Sequence, residues 1–427
     1  MHNYYPELIW AIDKILLYLV AAAGLLTIFY SLAREYSWKR RNRALLNIKS
    51  NVYELVLSGK EADNEACLAS VSGVTPQQFL DVTTNRNREI VFFNESEQEI
   101  LKSCFVSAEK IAKIEKTALF SWNKWRRIEA ILTLGYAQAA ASLDTLQRTI
   151  NDRDADIAYF SILALGQIRS ALSAGILLDF IEKRSFYRYR IFSLLESFPP
   201  EIAVKAIGLT ASPDPEVRSW AVKLIGRLKA LQYRQKIEEL TGDKSAEVRA
   251  SACDCLGEFG SRDSASIITK CLTDDFWKVR VCAVKSLFKV LGKEGLPQIM
   301  GRINDGSLSV IESVKFLMAA NIEICLSYAE DFLYGDDEMA RRISVEALEE
   351  SGYIIKLFKE ILSRSKKEKE AAEFLLKGLI VSCAYAGLGA ALLGLPGEEQ
   401  GKMLDIIRNI DEQAADTLER GIAGRKD

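Results

Sequence analysis

Side chains able to do chemistry are scarce in this 427-residue chain, and their spacing leaves them without partners. His2 is the single histidine, so a His-based triad or an imidazole zinc centre has no candidate elsewhere. Of eight cysteines, Cys253 and Cys255 stand nearest to each other. Two places apart on a helix they point to different sides, about 200° apart, and no histidine is close enough to complete a zinc set. They read as small buried hydrophobes of a reducing compartment. No Gly-rich loop followed by Lys and Ser or Thr is present to cradle a phosphate. The sequence therefore leads us to expect no catalytic residues, no metal and no cofactor. With 56 basic and 58 acidic residues and a net charge of −2, it does not resemble a polyanion binder either.

What does recur is arginine, in the pairs Val217-Arg218, Val248-Arg249 and Val279-Arg280, with a step of 31 residues both times. Taking each Val as an anchor, Ala221, Ala252 and Ala283 stand four places on, and Ile225, Leu256 and Leu287 eight places on. At about 100° per residue these offsets share one helical face, so each copy is a helix with an apolar stripe. Asp214-Pro215 suits an N-cap with proline in the first turn, and Gly226 and Gly257 suit a loosening or ending of the helix. A unit of this length holds two helices of roughly 11 residues each, a hairpin that cannot bury its own apolar face and must stack.

This pattern, Asp214-Pro215-x-Val217-Arg218-x-x-Ala221 with Ile225-Gly226, resembles the bacterial HEAT-like repeat family. The short repeat length is similar to that of its phycobilisome-lyase type. The resemblance implies an α-solenoid in which the arginine and a preceding aspartate tie neighbouring repeats together. The family includes scaffolds, lyases and regulators, so it implies architecture far more than activity. Sliding the template along the chain adds anchors at Arg126, Ile157, Tyr189, Val310 and Ala340, with steps of 31, 32, 28, 31, 31, 31 and 30. The arginine ladder then reads Arg127, Arg190, Arg218, Arg249, Arg280 and Arg341, broken by Ala158 and Ile311, while Asp154, Asp214 and Asp337 precede their anchors by three. The expected fold is all-α, about eight or nine hairpins over 120–395, with a basic juxtamembrane and capping region at 34–119 and a closing helix and tail at 396–427.

Residues 15–33 carry no charge over 19 positions, long enough to cross a bilayer core of about 30 Å. Arg34, Lys39, Arg40, Arg41 and Arg43 follow the run, which fits contact with a membrane surface and, by the positive-inside rule, a short N-terminus of residues 1–14 outside the cell. A cleaved signal peptide would carry its basic residues before the apolar run. The expectation is a single-pass inner-membrane protein, with the repeats in the cytoplasm. Between anchor and array, Gly59 to Asn64 reads as a polar break. Thr75-Pro76-Gln77-Gln78 starts a short helix, Asp81 to Arg88 reads as a polar loop, and Ile90 to Phe93 as a short strand or a buried turn.

Functional positions should depart from the repeat. Two and six places after each anchor a helix faces away from its buried stripe, yet the first three copies carry Ile128 and Leu132, Tyr159 and Leu163, and Ile191 and Leu195 there. Such a row would form a partner-binding groove on the inner face of the solenoid, or lie under helices folded back from residues 96–119. Two aromatic and basic clusters, Trp122 to Arg127 and Arg184 to Arg190, fit helix packing, anionic lipid or, least well, nucleic acid. Gly378 to Leu395, 18 residues without charge, reads as a ninth repeat turning at Gly387 and Gly389, the other reading being a second span. Glu398 to Arg420 reads as one amphipathic closing helix.

The leading expectation is a membrane-anchored, non-enzymatic scaffold or adaptor that binds a protein partner. The resemblance also implies, as an alternative, a lyase-like enzyme acting on a bilin chromophore; binding of nucleic acid through the arginine clusters is a third reading.

Overall fold

The computed structural model describes residues 5–57, 71, 73–84, 91–183, 185–362 and 366–423, leaving aside the side chains of 5–18, 21, 366–368 and 371. All regular structure among them is helical, and the chain divides into two compact units, Met1–Pro199 and Pro200–Asp427.

The first unit holds α1 (Tyr5–Leu57), α2 (Pro76–Thr83), α3 (Glu95–Phe105), α4 (Ala108–Phe120), α5 (Lys124–Tyr136), α6 (Leu143–Ile150), α7 (Ala155–Ile168), α8 (Ala171–Ile181) and α9 (Arg188–Leu195). Helix α1 corrects the expectation of a transmembrane segment. Neither proline nor glycine occurs between Gly24 and Gly59, so the helix does not stop where the apolar run ends and continues through the basic residues to Leu57. Leu45, Ile48, Val52 and Leu55 are buried on one face of its last turns, which pack on α3. Lys49 Nζ reaches Glu97 at 2.7 Å and Arg41 Nε reaches Asp81 at 2.6 Å, so these turns are held by protein. Leu25, Leu26 and Phe29 stay exposed. Among the described residues no helix is long and apolar enough to cross a membrane. The transmembrane helix at 15–33 and the single-pass inner-membrane location are therefore overturned. His2 and the polar break at Gly59 to Asn64 lie outside the described residues.

The capping region is more helical than its sequence suggests. Thr75 caps α2 in a reciprocal box with Gln78, and the helix runs through Asp81 to Thr83, where a loop is expected. Residues 91–94 are irregular, neither strand nor turn, with Val91 and Phe93 buried and Phe92 exposed, and are closed by the Asn94 cap of α3. Phe79 of α2 stacks on Phe105 of α3, ring centroids 4.1 Å apart.

In the second unit the repeats run through α10 (Ala203–Ala206), α11 (Pro215–Arg227), α12 (Arg234–Leu240), α13 (Ala246–Phe259), α14 (Ala265–Cys271), α15 (Trp277–Leu291), α16 (Leu296–Met300), α17 (Leu308–Ala320), α18 (Ile322–Tyr334), α19 (Glu338–Glu350), α20 (Tyr353–Ile361), α21 (Lys366–Val381) and α22 (Tyr385–Leu393). They end in α23 (Gly397–Ile410) and α24 (Glu412–Ala423), two helices where one is expected, because Asp411 leaves the helix and caps Ala414. The anchors Val217, Val248, Val279 and Val310 are fully buried, as are Ala221, Ala252 and Ala283 four places on.

Four of the six arginines expected in the ladder tie neighbouring repeats, through a different aspartate from the one singled out by spacing, while Arg341 donates to Gly335 O at 2.7 Å. Arg218 binds Asp243, Arg249 binds Asp274 and Arg280 binds Asp305, each 25 residues ahead, and Arg127 binds Asp152 in the first unit at the same interval. These acids stand five places before the next anchor. The aspartates three places before, Asp154, Asp214 and Asp337, accept hydrogen bonds from backbone N–H groups as N-caps.

Gly226 and Gly257 lie inside their helices. A Cβ on Gly257 would stand 2.7 Å from the Ser286 Cβ, so the residue is there to let α13 and α15 approach; α13 ends instead at Gly260, with φ +65°. The uncharged stretch 378–395 turns at Cys383, φ 57°, between α21 and α22, with Leu379, Leu388 and Leu392 buried. Gly387, expected in that turn, sits in α22 and donates its N–H to Glu349 Oε1 at 2.9 Å.

A candidate partner cleft in the first unit

Helix α5 starts at Asn123, whose side chain accepts from Trp125 N and Arg126 N. That start points Trp125 outward, 69% exposed, and turns Ile128, Glu129 and Leu132 toward α2 and α7. Gln77, Leu80, Asp81 and Thr84 of the α2 segment form the opposite wall, Phe160 of α7 the end, and the cleft between them measures about 430 Å³. Its walls are mainly apolar and its two charged groups are carboxylates. Asp81 is 3% exposed and clasped by the Arg41 guanidinium through Nε and Nη2. Glu129 is half-buried, and among the described residues no side chain hydrogen-bonds or ion-pairs with its carboxylate. Burial, then the neighbouring Asp81, pushes the Glu129 carboxyl up, while Arg126 and Arg41 pull the other way. A second hollow of about 340 Å³, lined by Lys110, Lys113 and Arg126, adjoins it across Glu129.

The six residues assigned by pattern to a partner groove divide. Leu132, Tyr159 and Leu163 are half-buried, whereas Ile128 is buried at 5% beneath the wall formed by α2. Ile191 and Leu195 are in the core at 0% exposure. The reason is a register two residues out. Tyr187 is the buried anchor, Arg188 the ladder position with Nε donating to Ile181 O at 3.1 Å, and Ile191 and Leu195 fall four and eight places on. The uneven steps of 32 and 28 become 30 and 30. Tyr189 is then two places after its anchor and 71% exposed. Leu80 lies outside the array and Phe160 off the repeat offsets, so no spacing marks either, and Trp125 is marked only as part of the cluster from Trp122 to Arg127.

The two aromatic and basic clusters divide in the same way. Arg127, Tyr187 and Arg188 pack or bond within the fold, the Tyr187 hydroxyl donating to Ala155 O at 3.0 Å, while Trp122, Trp125 and Phe186 are exposed. Of the basic residues expected at a membrane surface, Arg41 is committed to Asp81 and Lys39 to Glu35 at 2.7 Å; Arg34 and Arg40 line a hollow beside α2, and Arg43 is exposed.

With this geometry in view, residues 205–287 and 235–314 match the model of HEAT repeats, so this part of the second unit is a HEAT-repeat helical scaffold. No curated protein matches the sequence. Among solved structures, an engineered protein is 14% identical over 74% of this chain and 99% of its own, with a TM-score of 0.35. Human deoxyhypusine hydroxylase with glycerol is 16% identical over 57% and 96%, TM-score 0.26. The complex of CpcE and CpcF of phycocyanin lyase from Nostoc sp. PCC7120 is 12% identical over 62% and 94%, TM-score 0.26. At these scores the likenesses bear on neither substrate nor partner.

Proposed function

We propose that the chain is a non-catalytic HEAT-repeat scaffold that binds a protein partner through the cleft between α2, α5 and α7. The observation that supports the reading is the cleft's composition. Leu80, Trp125, Leu132 and Phe160 present apolar and aromatic surface around a concave site, the arrangement that anchors interface side chains. Repeats position it: α5 and α7 are neighbouring copies of the helix that carries the apolar stripe, and they pack on each other.

The experiment is capture by the full chain compared with a Leu132→Glu, Leu163→Glu double variant, followed by purification of the captured protein and direct titration against both. Both positions are half-buried, so the variant is expected to fold. A partner that binds the natural chain and not the variant supports the reading; equal affinity for both overturns it.

A further inference from the structure

We propose that the cleft takes a segment of a partner protein in which a lysine or arginine stands beside a large apolar residue, the cation meeting Glu129 and Trp125 and the apolar group resting on Leu80, Leu132 and Phe160. The proposal rests on the reading of this cleft as the partner site and adds what that partner must carry.

The charges carry the argument. Of the two carboxylates in the cleft, Asp81 is already neutralised by a two-point contact with Arg41, and Glu129 is not paired among the described residues. Arg126 and Arg41 act on this half-buried carboxylate from a distance, but no side chain among the described residues hydrogen-bonds or ion-pairs with it, so it gains when a cation replaces its partial hydration. Trp125, 69% exposed in the same wall, offers an indole face to that cation, the best of the aromatic platforms for an ammonium or guanidinium. The remaining wall is apolar, so a bare cation would leave Leu132 and Phe160 uncovered. A volume of about 430 Å³ is in the range that encloses one short ligand segment, not a broad surface. Nucleic acid is disfavoured, since a phosphate entering here would face the unpaired Glu129 carboxylate, with Asp81 already held by Arg41.

The test is selection of a random peptide library displayed on phage against the purified full chain, repeated with Glu129→Gln and with Leu132→Glu, all three first compared by thermal melting. The natural chain is expected to enrich peptides in which Lys or Arg adjoins Leu, Phe or Trp. A synthetic copy of an enriched peptide should bind about tenfold more tightly than its norleucine analogue, a gap of about 1.4 kcal/mol. Glu129→Gln should abolish that gap, and Leu132→Glu should abolish binding of both peptides. Enrichment without a basic excess, or a gap that survives in Glu129→Gln, overturns the cation assignment while leaving the cleft as partner site. No enrichment, or equal binding by Leu132→Glu, overturns the cleft itself. Binding of n-butylammonium alone as tightly as the peptide, or a dimer of the chain that Leu132→Glu dissolves, would name a different occupant and overturn the proposal.

Discussion

Arg249 holds Asp274 by both carboxylate oxygens, Nε to Oδ2 and Nη2 to Oδ1, each at 2.8 Å, across 25 residues of sequence. Its remaining nitrogen donates to the carbonyls of Asp243 and Lys244, so one guanidinium closes the loop before its own helix and fastens the loop before the next. Asp243 is in turn the acid held by Arg218. Each rung therefore shares a loop with the rung before it, which is how a chain of local contacts fixes the stacking of successive hairpins.

Arg249→Lys keeps the charge and loses the fork. With side chains 19% and 14% exposed the pair is largely out of water, and we expect a loss of about 2 kcal/mol on denaturant unfolding, with Arg249→Ala losing somewhat more. A double-mutant cycle with Asp274→Asn should give a coupling above about 1 kcal/mol. A coupling near zero would mean that the carbonyl contacts alone hold the loop.

The same rung sets an acid limit. The Arg249 hydrogen bonds hold the Asp274 carboxyl below its ordinary range. The folded chain thus binds this proton less readily than the unfolded one, so the stabilisation is complete above the unfolded value of about 3.9 and is lost as pH falls through the lower folded value. The stability gap between the natural chain and Asp274→Asn should be constant from neutral pH to about pH 5 and shrink below about pH 4. A gap unchanged in that acid range would contradict the linkage.

These rungs show what the sequence discloses and where it misleads. The repeats around Val217, Val248 and Val279 are legible because anchor, arginine and small residue all survive at one spacing. In the third repeat Tyr187-Arg188-Tyr189-Arg190 offers the anchor and its arginine twice, two residues apart, and only burial decides between them: Tyr187 is 4% exposed and Tyr189 71%. That slip put Ile191 and Leu195 in a groove when they belong to the core. Half of the cleft was legible, as apolar residues at Ile128 and Leu132 where a helix should meet water. The other half comes from α2, whose start is readable at Thr75 but whose packing partner no local pattern reveals. The apolar run at 15–33 misled for a further reason: hydropathy reports what a segment avoids, and is silent on the helix continuing past Ala33 into contacts with Glu97 and Asp81.

Close helix approach gives an independent check of the stacking. A Cβ on Gly257 would meet the Ser286 Cα at 2.9 Å, and one on Gly135 would meet the Ala164 Cα at 2.5 Å, so neither can be relieved by turning a side chain. Gly257→Ala and Gly135→Ala should each cost about 2 to 3 kcal/mol, by forcing neighbouring helices apart. Gly401, in α23 with nothing nearby, should gain up to about 1 kcal/mol as alanine. Melting temperatures that rank all three alike would contradict the packing.

Glu129 should prove a liability to the fold, as a residue kept for binding often is. Its carboxyl is pushed up by burial and by Asp81 from α2, against Arg126 on its own helix and Arg41 from α1, with Lys110 and Lys113 of α4 in the adjoining hollow. The folded chain therefore binds this proton more readily than the unfolded one. Its contribution favours folding below the unfolded value of about 4.3 and turns against folding as pH rises through the higher folded value. Glu129→Gln should accordingly raise the melting temperature at pH 7 and leave it nearly unchanged at pH 4. Affinity for a lysine-bearing peptide should move in the opposite sense, falling as acid protonates the carboxylate, with its midpoint above that of an ordinary glutamate. A glutamine variant that melts lower at pH 7 than the natural chain would show that Glu129 is already satisfied within the fold, and the cation it is proposed to await would have no place.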